Sequence, residues 1–89
     1  MNYTEFPHNA KPEISYPCEW EYRVIGESKE VLESLIFDIM PRQYRLEMGK
    51  ESSSGRYVSL YVRLIVQSEL ERNELFSRLR AHKQVKMVL

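Results

Sequence analysis

Few side chains in this sequence stand where they could make or break a covalent bond. Cys18, the one cysteine, follows Pro17 and has no histidine close to it in the chain. A nucleophilic thiolate needs a neighbouring base or a positive field to lower its pKa, so Cys18 reads as an inert thiol. His8 and His82 lie toward opposite ends of the chain and form no metal-ligand spacing; His82 falls near the end of a helical stretch, where the helix dipole favours an imidazolium. Glu19 and Glu21 alternate with residues of a strand pattern and share its face with Arg23, which reads as a cross-strand charge pattern rather than an acid–base pair. No catalytic residue, metal site or cofactor is expected, and the protein is not expected to be an enzyme.

Residues suited to binding are easier to find. Ser52, Ser53, Ser54 and Gly55, followed by Arg56, form a stretch whose amides and hydroxyls could converge on an anion. It lacks the lysine of a P-loop and does not open a helix, so that mechanism is excluded, and the same residues serve equally as a plain hairpin loop, the reading favoured here. Immediately after it, Tyr57, Ser59, Tyr61 and Arg63 alternate with aliphatic residues. Two tyrosines and a guanidinium could stack bases, but RNA-recognition domains set their key aromatics two apart behind a basic-glycine pair, whereas Tyr57 and Tyr61 lie four apart. Thirteen basic against thirteen acidic side chains give zero formal charge, which argues against a nucleic-acid or anionic-membrane partner.

The element that carries these residues is the longest clean strand in the sequence. Val58, Leu60, Val62, Leu64 and Val66 form one aliphatic face, and Tyr57, Ser59, Tyr61, Arg63 and Ile65 the other. An earlier strand over 19–26 places Trp20, Tyr22 and Val24 opposite Glu19, Glu21 and Arg23 and stops at Gly26. Ser28 is a suitable N-cap for a helix whose apolar residues Val31, Leu32, Leu35, Ile36 and Ile39 recur at helical spacing until Pro41. Tyr44, Leu46 and Met48 mark a second strand, joined to the long one through the loop from Gly49 to Gly55. Ser68 with Glu71 is a capping-box pattern, and Leu75, Phe76 and Leu79 line the helix it opens. Residues 85–89 alternate again and supply a last strand. Strand, helix, strand, strand, helix, strand is the split βαβ order: an α+β, ferredoxin-like βαββαβ sandwich with a four-stranded antiparallel sheet and both helices on one face. Its usual spatial order, four-one-three-two, leaves the opposite face open.

At 89 residues the chain is expected to form one domain, 16–89, behind a flexible N-terminal tail, 1–15, in which Pro7 and Pro12 oppose regular structure. A core of this size leaves room for a second copy as a supplement to stability. No signal-peptide pattern and no run of roughly 20 apolar residues is present, so a cytoplasmic address is expected.

Three groups of residues resemble a known family. Tyr16-Pro17 with Trp20, Tyr22, Arg23, Val24 and Gly26 is similar to the opening of the YbeD-like family of small bacterial proteins; Ser52-Ser53, Gly55, Tyr57 and Ser59 resemble its serine-glycine-tyrosine turn; Val85-Lys86-Met87-Val88-Leu89 resembles its ending. Tyr61 departs from the family pattern, which commonly has a small polar residue there, and the stretch between Pro41 and Met48 is only loosely similar. The resemblance implies a ferredoxin-like fold comparable to the ACT regulatory domains of amino-acid enzymes, no established activity, and a labelling of some members as regulators connected with lipoate metabolism. Two functions stand beside each other on this reading. One is a regulatory or adaptor module that meets a protein partner, or a second copy, through the exposed sheet face or a sheet edge. The other is an ACT-like sensor of a small molecule, whose site would lie at the turn Ile25-Gly26-Glu27-Ser28.

Overall fold

A computed structural model describes residues 14–49 and 55–89. Six elements follow one another: β1 Cys18–Gly26, α1 Lys29–Ile39, β2 Arg45–Met48, β3 Val58–Val66, α2 Glu69–Ala81 and β4 Val85–Val88. The strands form one sheet in the order β2-β3-β1-β4 with every neighbouring pair antiparallel. This is the expected topology, with β1 and β3 central. Of the expected tail, only Ile14 and Ser15 fall within the described residues.

Alternation decides which side of the sheet is covered. Tyr22, Val24, Leu60, Val62, Leu64 and Val66 are buried together with Leu32, Leu35, Ile36 and Ile39 of α1 and Leu75 and Leu79 of α2. Burying side chains of this size is worth roughly 1.5–3 kcal/mol each, which is what holds a small sheet under two helices. Ser28 caps α1 by accepting from the Val31 amide, and Pro41 follows the terminal turn closed by the Met40 amide on the Ile36 carbonyl. Three details differ from the sequence reading. Val31 lies toward solvent because the buried stripe of α1 runs through Leu32, Leu35, Ile36 and Ile39. Tyr44 precedes β2 rather than opening it, and Met48 is exposed at the sheet's outer edge.

The turn between β1 and α1 is closely filled. A Cβ placed on Gly26 would come within 2.8 Å of both the Gln84 carbonyl oxygen and Leu32 Cδ2, so only a glycine lets β1 pass between α1 and the chain entering β4. Gly55 has a different reason to be glycine: its φ of 73° lies in the left-handed region, where a Cβ is disfavoured.

Candidate functional site

The open side of the sheet collects side chains from three strands, and the strand register sets their rows. Arg45, Arg63 and Glu21 lie abreast across β2, β3 and β1; Glu47, Tyr61 and Arg23 form the next row. Two arginines directly opposite would repel. The rows resolve this by pairing with carboxylates on the central strand and across the diagonals: Arg63 Nε donates to Glu21 Oε1 at 2.7 Å, its Nη2 lies 3.7 Å from Glu47, and Arg45 lies 3.8 Å from Glu19. The pairing with Glu21 raises the Arg63 pKa above its ordinary value. Exposed ion pairs of this kind contribute little to stability, so their effect is to fix side-chain positions rather than to hold the fold.

Tyr61 sits at the middle of this network. The Arg23 guanidinium stands 5.6 Å from its ring centroid, and the ring edge lies over Gly49, where an added Cβ would meet Tyr61 Cε2 at 2.8 Å. Gly49 therefore provides the space in which the tyrosine lies against the sheet, a role that composition alone did not reveal. Arg23 Nε is buried and has no hydrogen-bond partner among the described residues. Arg45, Leu46, Glu47, Tyr61 and Arg63 line a hollow of about 320 Å³ on this face. Ile65 and Met87 add exposed apolar surface on the same side.

The sequence-predicted site residues divide into distinct places. Tyr61 and Arg63 stand together on the open face. Ser59 belongs to the same strand face but is only 5 % exposed, beside Gly49, so its hydroxyl does not face solvent as expected. Tyr57 lies just before β3, beneath Arg56 at 5.4 Å and Lys86 at 6.0 Å from its ring. Gly55 is at the mouth of the same loop, while Ser52 and Ser53 lie outside the described residues. Gly26 is buried at the far end of β1, against Leu32 and Gln84. Beside that turn, Glu27, Arg56, Tyr57, Lys83 and Lys86 surround a cleft of about 340 Å³ in which Arg56 pairs with Glu27 at 3.6 Å.

The titratable groups considered for chemistry occupy structural positions. Cys18 is half-buried at the start of β1 and packs against the core. His82 caps α2, and its Nδ1 accepts from the Gln84 amide at 3.2 Å. Among the described residues no cluster of three or more histidine, cysteine or acidic side chains is placed to hold a metal. No helix among them is long and apolar enough to cross a membrane.

Comparison with known proteins agrees with this architecture. The chain is 38% identical over 71 residues to an uncharacterized protein of Helicobacter pylori strain J99, covering 78% of this chain and 81% of that protein. It is 30% identical over 79 residues to a UPF0250 protein of Shewanella sediminis, covering 85% and 90%. Among solved structures, the solution structure of protein HP0495 from H. pylori superposes with a TM-score of 0.79 at 35% identity, over 91% of this chain and 90% of that one. The matched family carries no enzymatic description. Residues 11–89 match the family model described as "Protein of unknown function (DUF493)", so the chain belongs to this family, the YbeD-like group of bacterial proteins that its motifs resemble.

Proposed function

We propose that the protein is a small non-catalytic module that works by protein contact, with the open sheet face around Tyr61 and Arg63 as its contact surface. The observation that carries this reading is the prearranged aromatic and guanidinium row: Arg63 held by Glu21 at 2.7 Å, Arg23 against the Tyr61 ring, and Tyr61 seated over Gly49. Tyrosine and arginine are the types that anchor protein interfaces, and side chains already held in position lose less entropy when a partner arrives. Exposed Ile65 and Met87 supply apolar area on the same face.

A second reading, the small-molecule sensor, draws on the cleft beside the Gly26 turn, where Arg56, Lys83 and Lys86 would suit an anionic ligand. The two separate in a paired experiment. Tyr61→Ala with Arg63→Ala should keep a cooperative melt, because both side chains are half-buried on the open face and lie outside the core. The same pair should abolish self-association in sedimentation, or direct binding to a purified partner in titration calorimetry. If both survive the double substitution, and a metabolite raises the melting temperature of the parent but not of Lys83→Ala with Lys86→Ala, the contact reading is wrong.

A further inference from the structure

β1 is a central strand over only part of its length. β3 pairs with it from Cys18 to Gly26, but β4 reaches only Val24, Ile25 and Gly26, and the last bonds on that side are the reciprocal pair between Arg23 and Leu89, at 3.0 and 2.9 Å. In an antiparallel ladder alternate residues turn their peptide groups to the same neighbour. The bonds of Arg23 to Leu89 therefore place the N–H and C=O of Glu21 and Glu19 on the β4 side. Among the described residues no strand meets them there. The adjoining space is a cleft of about 510 Å³ that runs on from Leu89 between the β1 edge and α2, lined by Trp20, Tyr22, Arg72, Asn73 and Phe76.

We propose that this notch receives one extended segment of a protein partner, which prolongs the line of β4 along Glu21 and Glu19, with basic and apolar side chains in alternation. Strand addition draws affinity from main-chain hydrogen bonds and specificity from alternate side chains. A partner residue opposite Glu21 or Glu19 turns its side chain to the open face, beside two exposed carboxylates. The cations already paired to them, Arg63 and Arg45, sit inward on β3 and β2, so the edge side of each carboxylate remains for a lysine or arginine of the partner. Residues between these turn to the helix side, where Trp20 and Phe76 are half-buried and favour an apolar group. A second copy pairing through the same edge would set Glu19 and Glu21 against their own equivalents, and like charges directly opposite are destabilising. This inference rests on the ladder geometry and not on the Tyr61–Arg63 row.

The probe is a capped peptide of alternating valine and lysine, titrated into the isotope-labelled full chain and followed by amide NMR. Binding should shift the Glu19 and Glu21 amides and slow their hydrogen exchange at least about tenfold. The same peptide with N-methylated lysines, which cannot donate to the β1 carbonyls, should bind about tenfold more weakly or not at all, and so should a peptide with glutamate for lysine. Glu19→Lys with Glu21→Lys should reverse the preference between the basic and acidic peptides; the N-methylated probe tests the unaltered chain should that variant not fold. Equal binding of the N-methylated peptide overturns the proposal. So does protection of the Glu19 and Glu21 amides in dilute protein without peptide, which would assign the notch to another part of the chain, or protection that rises with protein concentration, which would assign it to a second copy. Shifts confined to Tyr57, Tyr61 and Arg63 overturn it while leaving the sheet-face reading intact.

Discussion

A phenol in the middle of an aliphatic core is costly unless its hydroxyl has a destination, and Tyr22 has one. Its ring is buried against the aliphatic core, and its hydroxyl donates to the Arg72 carbonyl of α2 at 2.6 Å; burial pushes its pKa up to about 12, so it stays protonated throughout the neutral range. Arg72 in turn donates to the Tyr16 hydroxyl at 2.9 Å and stands 4.5 Å from the Trp20 ring centroid, which ties the entry of β1 to α2. Tyr22→Phe removes the donor and breaks this tie between sheet and helix, leaving the Arg72 carbonyl only its place in the α2 ladder. It should lower the unfolding free energy by about 1–2 kcal/mol in urea titration with an unchanged m-value, and a loss below about 0.3 kcal/mol would mean that the bond contributes nothing net. Gly26 makes the opposite kind of demand, for absence of a side chain. Gly26→Val would drive its Cβ into the Gln84 carbonyl and Leu32, a backbone obstacle on one side, so it should cost about 1–3 kcal/mol in the same titration. Such a loss of stability also makes this substitution a poor probe of any ligand site at the turn. That Gly26 must be glycine is visible in its position between strand and helix; that the reason is crowding by Leu32 and Gln84 is not, because Gln84 lies in the chain leading into β4.

The N-terminus of α2 was half legible. Ser68 Oγ accepts from the Glu71 amide at 3.1 Å, as the capping pattern predicts, but the Glu71 carboxylate accepts from the Gln67 amide at 2.8 Å instead of reaching back to Ser68. Its remaining capacity goes to Arg42, whose two terminal nitrogens hold it at 2.8 and 2.7 Å while one also donates to the Ile65 carbonyl. Local pattern cannot anticipate a partner 29 positions away in the loosely patterned stretch before β2. The bidentate pair joins the α1–β2 connection to the end of β3 and the start of α2. The Arg42 hydrogen bonds hold the Glu71 carboxyl below its ordinary pKa. A lowered carboxyl pKa in the folded state means that the folded form is favoured while Glu71 is ionised. This contribution is complete above the usual carboxylate range and is lost as the pH falls through the lowered value. Glu71→Gln should therefore melt below the parent at pH 7 by a few degrees and converge with it near pH 2, which thermal melts across that interval would register as a smaller acid-induced drop. A gap that is as wide at pH 2 as at pH 7 would attribute the loss to packing.

At the scale of the molecule, a period of two decides nearly everything that could be read beforehand. β1 and β3 were legible because apolar residues at alternate positions can satisfy only one face of a sheet, and both helices because their apolar residues return at helical spacing; alternation in the short strands misleads, since Met48, Met87 and Leu89 are exposed and Val88 is buried. The composition of the open face followed from the same alternation, but its arrangement did not: which carboxylate holds Arg63, why Ser59 is buried and why Gly49 lies under Tyr61 depend on the register between strands. Alternation also yields the sharpest test of the fold. Leu60 and Leu64 are 1% and 3% exposed beneath the helices, whereas Ile65, the next residue along β3, is 45% exposed on the other face. An aspartate at either leucine places a carboxylate without a partner among Tyr22, Val24, Ile36 and their neighbours. The cost is several kcal/mol against a total stability of roughly 5–15 kcal/mol for a domain of ordinary size. Leu60→Asp and Leu64→Asp should each unfold the protein, with collapsed amide dispersion and loss of a cooperative melt. Ile65→Asp should melt within a few degrees of the parent, since its side chain enters water rather than the core. Cooperative melting of either leucine variant, or unfolding of the Ile65 variant, would mean that β3 is turned the other way in the sheet.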